Sequence, residues 1–500
     1  MTAADASGRR AENASGRRAG NASGRRAGWE VVVGLEVHAE LRTRTKLFCA
    51  CPNSFGDEPN TNVCPVCLGL PGSLPVINRA AVEFAMRIGT ALNCRVQPSL
   101  FHRKNYFYPD MPKDYQISQY DIPINADGWL ELPSGRRIGI ERAHMEEDTG
   151  KTTHMGGGGR IHDAAHSLVD YNRAGVPLVE IVSAPDIRSA DEARAYVDEL
   201  RAILVATGAS DGKMEEGSLR VDANVSVRHA GSSEYGTRCE VKNMNSLRSL
   251  GRAIEYEAQR QIEVLTEGGS IVQETRHWDE GAGRTGSMRS KEEAYDYRYF
   301  PEPDLVPVNP SQAWISEVSS SLPVLPAARR DAVAAASGIP AGDDSVVTVV
   351  RLDLDRYVEA VRSAGGPDGA ETVAVRRLAN EVASQLESLE HLSEESFASL
   401  VAMETEGSLT PAQSRTVLKE LLESGGDPRA VASRLGFEAL AAGALSEIVD
   451  QVVAEYPDEW ARFAGGEDKL MGFFAGHIRS RSGGNADMKE ASALLRSRRG

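Results

Sequence analysis

Four of the six cysteines in this chain lie between positions 49 and 67, as Cys49-Ala50-Cys51 and, twelve residues later, Cys64-Pro65-Val66-Cys67. Cys94 and Cys239 are far away. Two close thiol pairs held apart by a short loop match a tetrahedral zinc site, whose four soft ligands must converge on one point. Such convergence fixes the path of the loop before any other contact is considered. Buried thiols or a disulfide are the competing readings. Immediately upstream, Val31 to Leu41 alternates as a strand does, with Glu36, His38 and Glu40 on its polar face. A structural zinc knuckle here would be stapled beside a carboxylate-rich pocket.

With 500 residues, 41% of them hydrophobic, the chain can bury two to four cores. No apolar stretch approaches the ~20 residues needed to span a bilayer, and no signal-peptide core is evident. The expectation is a soluble cytoplasmic protein without membrane contact, in a compartment reducing enough for paired thiols to hold metal. A net charge of −16 argues against a general polyanion binder, so any nucleic-acid contact needs a local basic patch. Residues 6–28 repeat an octapeptide of Ala, Ser, Gly, Arg and Asn, with no apolar face, and 1–28 reads as a disordered arm. A mitochondrial presequence is the alternative, but the glycines and the lack of Leu or Phe deny it an amphipathic helix.

From Trp29 to about Leu305 strands mix with helices. Asn78 caps one helix, Ser189-Ala190-Asp191-Glu192 forms a capping box for another that Gly208 ends, and a third spans Ser246 to Thr266. Leu219, Val221, Ala223, Val225 and Val227 share one strand face, and Arg220, Asp222, Asn224, Ser226 and Arg228 the other. Arg238 to Lys242 repeats the pattern after a turn, which predicts an antiparallel hairpin. A sheet apolar below and ionisable above seats helices beneath and a polar ligand above; the plainer alternative is a polar face that meets water. Pro301 to Pro310 carries four prolines and reads as a linker. The remainder is helical in pattern, and Gly407 to Pro411 divides it into 306–407 and 408–500. The fold class expected is therefore α+β.

Glu36-x-His38 projects two ligands to one face, His144 to Asp148 gathers three acids, and Glu180 sits alone in an apolar strand, where a buried carboxylate needs a cation, a donor or a proton. Together these segments could ligate Mg²⁺ with nucleotide phosphates completing the shell. Singly, a solvated acid cluster and a core histidine explain them as well. Asp148 to Thr152 lacks the first glycine of a P-loop, position 145 being Met, and Gly156 to Gly159 lacks the flanks of a dinucleotide site. Any ATP chemistry must use a fold without a P-loop. Phe101 to Gln119 interleaves Lys104, Tyr106 and Lys113 with further aromatics, a composition that can hold phosphates and stack on a base, or simply pack on the sheet. Leu470 to Gly484, with Arg479 and Arg481, precedes Arg496, Arg498 and Arg499 and is the best candidate for contact with a phosphate backbone.

Several of these segments resemble one family. Val33 to His38, Arg103 to Asp110, His144 to Asp148, Val169 to Glu180, Lys213 to Arg220, Asp296 to Asp304 and Met471 to Phe473 are similar, in order, to the B subunit of glutamyl/aspartyl-tRNA amidotransferases. The likeness covers about residues 29 to 500. It implies a cradle domain over 29–305 like that of glutamine synthetase and guanido kinases, then a helical domain and a helical, tRNA-binding tail. It further implies a heterotrimer with an amidase (A) subunit and a small (C) subunit. Ammonia channelled from the amidase would amidate Glu or Asp misacylated on tRNA, after ATP and Mg²⁺ phosphorylate the side-chain carboxylate. By motif, Glu36, His38, Glu147 and Glu180 are implied as the Mg²⁺ and catalytic residues, with Lys104, Tyr106, Lys113, Arg220, Asp222 and Lys242 binding ATP or substrate. Cys49, Cys51, Cys64 and Cys67 match a structural zinc site found in some members. A non-enzymatic tRNA scaffold and a small-molecule carboxylate–amine ligase are the other readings; inward carboxylates oppose the first, and the long helical half with its basic end opposes the second.

Overall fold

The computed structural model describes residues 28–156, 164–288, 297–437, 443–482, 486 and 488–499. The repeat arm, Gly28 apart, and Gly157 to Gly159 of the glycine run lie outside the described residues. The chain divides into two compact units, Met1–Pro326 and Ala327–Gly500.

In the first unit, strand Trp29–Glu40 runs through the middle of a 12-stranded sheet, antiparallel to Pro177–Ser183 on one side and to Leu219–His229 on the other. Beyond Leu219–His229 come Cys239–Lys242, Thr275–Asp279 and Arg284–Ser287. Beyond Pro177–Ser183 come Arg137–Glu147, Tyr115–Gln119 and Phe101–Asn105. The hairpin expected around residue 230 is present, with Asn224 opposite Glu240. Strand alternation sets the layers: Val33, Leu35, Val37 and Ala39 are wholly buried and join Leu219 to Val227 in one apolar core. Helices Arg79–Ala91, Ala190–Ala206 and Leu247–Thr266 complete that core through Val82, Met86, Val197, Leu200, Leu250 and Ile254.

Asn78, Ser189 and Ser246 cap these helices by accepting from the N–H groups of Ala80, Glu192 and Ser249. The reciprocal half of the capping box at Ser189 is not formed. Glu192 accepts instead from the neighbouring Arg188 N–H (2.8 Å) and pairs with Arg136, whose charge draws the carboxylate away from the Ser189 N–H. The proline-rich stretch 301–310 is also more than a linker. Phe300–Pro301 pairs with Phe101–Asn105 at the sheet edge, where proline is tolerated, and buried Glu302 forms a bidentate pair with Arg103. Leu305, Val308, Trp314 and Val318 then pack on the core of the sheet.

Beyond Pro326 the described elements are helices. One core gathers Val349, Tyr357, Leu378, Phe397 and Leu418; another gathers Val449, Phe463, Phe474, Ile478 and Leu495. Thr410 and Gln413 form a reciprocal capping box at the head of Pro411–Ser424, and this helix shares its core with Glu394–Thr405 on the other side of the Gly407 turn. The molecule is thus α+β, with a large and mainly antiparallel sheet followed by a helical region. Among the described residues no helix is long and apolar enough to cross a membrane.

Candidate active site on the polar face of the sheet

The even-numbered residues of the central strand, Gly34, Glu36, His38 and Glu40, face away from the core, and the register of three neighbouring strands brings ionisable groups to them. His38 lies opposite Glu180 and Arg220, and Glu180 lies opposite His144. His38 Nε2 stands 3.4 Å from Glu180 Oε2 and 3.8 Å from Glu146 Oε1, and Arg142 and His144 also approach Glu180. One strand over, Glu36, Asp222 and Glu240 form a second group; Lys242 bonds both Asp222 (2.5 Å) and Glu240 (2.8 Å), and Asn224 donates to Glu36 (2.9 Å). In each trio the potential ligand atoms lie within 4.8 Å of one another.

The electrostatics show what these groups lack. Burial and the neighbouring Glu180 push the Glu36 and Glu146 carboxyls above their usual range. Burial opposes the charged form of His38 too, but Glu180, Glu146 and Asp222 outweigh it and raise the imidazole to about 9. Glu180 is the exception: against burial, His144, His38 and Arg142 hold it well below the ordinary carboxylate value. Carboxyls driven upward beside an imidazole driven to bind a proton mark a site short of positive charge. Oxygen donors with one imidazole suit a hard divalent cation such as Mg²⁺, so the residues fit that ion. Beyond His38 the balance differs. Against burial, Arg220 (2.7 Å) and Arg173 (3.4 Å) hold Asp148 down, while burial and Asp148 push Glu40 up to about 7.

Glu147 does not join His38 and Glu180; its neighbour Glu146 does. Ile138 and Ile140 point into the core, and counting by twos from them would put Glu147 on the polar face. A register shift between Ile140 and Arg142 reverses the count, so Ala143 and Met145 become the core residues and Arg142, His144 and Glu146 turn to the ligand face. Glu147 is buried elsewhere, in an ion pair with Lys113 and accepting from the Ile117 N–H (2.8 Å). Lys113 therefore stands with Glu147 and not in the cation clusters. Lys104 lies over the Tyr297 ring (4.8 Å), and its charge reaches Glu146 and His144. Tyr106 stacks on Tyr108 (4.8 Å). Arg220 pairs with Asp148, and Asp222 and Lys242 belong to the second trio. Sequence reasoning counted Glu146 among the three acids of the His144 to Asp148 segment that could ligate Mg²⁺, though the resemblance pointed to Glu147, and it gave Glu240 no role; the signal for Glu240 was its place opposite Asn224 in the expected hairpin.

Cys49, Cys51, Cys64 and Cys67 converge with their sulfurs within 4.8 Å of one another, and none is in a disulfide. The Cys64–Cys67 sulfur separation is 3.9 Å. A tetrahedron with metal–sulfur bonds of ~2.3 Å has edges of ~3.8 Å, so the set fits zinc. A hydrogen bond from Cys49 and the charge of Lys46 help pull Cys67 down to about 5. Lys46 is completely buried, and its ammonium donates to Asn62 O (2.7 Å) and Tyr171 O (3.1 Å) and lies 3.7 Å from Cys67 Sγ. At the other end of the chain, Arg479 and Arg481 lie in the last turn of helix Met471–Arg481. Arg481 pairs with Glu455 (2.6 Å), Arg498 with Asp450 and Arg499 with Asp468.

Residues 31–316 match the GatB/GatE catalytic domain and residues 356–498 the GatB domain. Among curated proteins, the chain is 50% identical to the B subunit of the aspartyl/glutamyl-tRNA(Asn/Gln) amidotransferase of Moorella thermoacetica, over 94% of this chain and 99% of that one. It is 46% identical to the protein of that name from Carboxydothermus hydrogenoformans (94% and 98% covered) and 48% identical to that from Thermobifida fusca (95% and 94%). The clustered carboxylates thus stand in a domain matched along nearly its whole length, and the chain belongs to the GatB/GatE family.

Proposed function

We propose that this chain is the kinase and transamidase component of a tRNA-dependent amidotransferase, with ATP and a Glu or Asp misacylated on tRNA as substrates. The observation that carries the reading is the pair of acidic clusters side by side on one sheet face, in a chain about half identical to amidotransferase B subunits. His38, Glu146 and Glu180 would hold one Mg²⁺, and Glu36, Asp222 and Glu240 a second. When bound, the ions supply neutralisation of the charge on the transferring phosphoryl group. Lys242 and Arg220 orient anionic groups at the edges of this face, and Lys104 adds positive charge near Glu146. A carboxylate is a poor electrophile; converting it to an acyl phosphate provides a leaving group, and ammonia then displaces phosphate to give the amide.

The absent P-loop and the antiparallel cradle support kinship with the glutamine synthetase and guanido kinase folds. The ammonia would come from the amidase (A) subunit of a cytoplasmic heterotrimer whose third member is the small (C) subunit. Zinc at the four cysteines would be structural, and Arg479 would contact tRNA from the C-terminal helices, while Arg481 is held by Glu455. The test is amidation by the purified complex given ammonium salt, ATP and misacylated tRNA. Product and ADP should form together and only when the tRNA is misacylated. Equal ATP turnover with uncharged tRNA, or amidation of the free amino acid, would refute the reading.

A further inference from the structure

Lys46 is completely buried, and neither acidic trio on the sheet uses it. Its backbone belongs to the cysteine loop. The Lys46 N–H donates to Cys51 O (3.0 Å), and the Leu47 N–H that follows donates to Gly175 O (2.8 Å). Gly175, at a φ of +87°, closes over the side chain. A Cβ there would stand 3.5 Å from Lys46 Cδ and 3.6 Å from Cys67 Cβ, so the lysine stem and the thiol lie under one stretch of backbone.

A sealed ammonium needs a counter-charge as well as partners for its three protons. The protons meet Asn62 O (2.7 Å), Tyr171 O (3.1 Å) and Cys67 Sγ (3.7 Å). Two of these partners are neutral carbonyls. Among the described residues no carboxylate pairs with Lys46, and Glu147, which also approaches the Gly175 backbone, is engaged by Lys113. The sulfur is therefore the partner that can carry negative charge. Four thiolates around one divalent ion leave two negative charges in excess, and Cys67 is the one buried cysteine of the four, cut off from water that would screen its share. Either charge alone would be costly at this depth; together they compensate.

We propose that Lys46 is the counter-ion of the four-cysteine metal site: held by the carbonyls of Asn62 and Tyr171, its ammonium offsets the excess charge of the metal–thiolate core through Cys67 and so raises the affinity for zinc. This rests on the proposal of zinc at the four cysteines, and adds to it a residue that holds the metal without touching it.

The test is metal binding by the whole chain. Competition with a chelating dye reads the zinc affinity, and cobalt in place of zinc reports on the sulfurs through its thiolate-to-metal charge-transfer band. Lys46→Met keeps the bulk of the side chain and removes the charge. It should weaken zinc about tenfold or more and move the charge-transfer band to lower energy, because a sulfur without its cation gives up electron density more readily. The ligand-field bands of four-sulfur coordination should stay in place. Asn60→Ala is the control for simple loosening. Asn60 bonds Asp170, Val169 and Tyr171 across the same junction but brings no charge, so its loss should change zinc affinity less than about threefold and leave the band unshifted. Lys46→Gln, which keeps an N–H donor for a carbonyl, decides the matter if Lys46→Met fails to fold. An unshifted band in the lysine variants, or an equal loss of affinity in Asn60→Ala, overturns the counter-ion and leaves Lys46 a packing residue. A wild-type chain that takes up neither zinc nor cobalt refutes the metal site itself, and the role of Lys46 with it.

Discussion

The polar face of the sheet and the arginine-rich C-terminus both concentrate charge, yet they handle it in opposite ways. On the sheet, half-buried Glu36 and buried Glu146 sit beside other acids and are forced upward in pKa, and Asn224 and Lys242 at the first and His38 and Lys104 at the second offset this only in part. At the C-terminus, Arg481, Arg498 and Arg499 each pair with a carboxylate a few turns away in space. Uncompensated buried charge is expensive and is retained where a ligand supplies the balance; charge already paired offers a ligand little. The contrast supports the proposal that the sheet is the chemical site, and it sets Arg481, Arg498 and Arg499 apart as already paired.

The largest effect should separate two adjacent residues. Glu146→Gln and Glu180→Gln should each lower tRNA-dependent amidation on the order of 10²–10³-fold. Glu180→Gln should also lower the melting temperature, because His38 and Arg142 lose their counter-charge, whereas Glu146→Gln should leave it unchanged, because it removes charge from a site with too much of it. Glu147→Gln should instead cost about 3 kcal/mol of stability, since it leaves Lys113 buried without its counter-charge. Amidation assays paired with thermal melts would break the comparison if the two neighbours behaved alike.

A buried acid that is compensated provides the control. Glu257 is wholly buried, yet hydrogen bonds from Arg260, Gln261 and Thr285 overcome burial and hold its pKa below the usual value. Such a group adds stability above its unfolded pKa, and that stability is lost as pH falls through the folded one. Glu257→Gln should therefore be less stable than wild type at neutral pH, by about 3 kcal/mol, and should show a flatter decline in acid. Denaturant melts from pH 7 down to pH 3 would show it.

Cys64→Ser should abolish stoichiometric zinc and lower stability by about 1–2 kcal/mol, with little change in the affinity for Mg·ATP. Metal analysis beside nucleotide titration checks both halves. The smallest effects belong to the tail. Arg479→Gln with Arg496→Gln should weaken tRNA binding several-fold and reduce the slope of log affinity against log salt by about 2. Arg481→Gln should change that slope by less than about half a charge, since Glu455 already holds the guanidinium. Equal slopes for the two variants would remove the distinction between paired and available arginines.

Much of this was legible from period-2 patterning. The central strand, its partner from Leu219, the hairpin to Lys242 and the faces of all three hold as read, because each has one side buried and alternation has no freedom there. The cysteine quartet was legible for a similar reason: four ligands on a short loop have few other places to go. What failed to show was whatever depends on a local irregularity. The extra residue near Ile140 leaves no mark in composition, yet it decides that Glu146 and not Glu147 meets His38. Glu192 turning to Arg136, and Glu302 drawing a proline-rich segment onto the sheet edge, likewise depend on tertiary partners that local pattern does not reveal.

Lys46 gives the cysteine loop a meaning for the order of folding. The knuckle looks local, spanning Cys49 to Cys67, but the ammonium behind Cys67 also donates to the carbonyl of Tyr171, 125 residues further on. An ammonium exposed to water needs neither partner; one sealed from water needs all of them at once. The metal loop can therefore settle fully only after the strands around Tyr171 have docked, which turns a short-range motif into a contact of high sequence separation. If the four thiols take zinc as proposed, its uptake during refolding should follow the closing of the sheet, and a full metal complement would report that the distant half of this unit is in place.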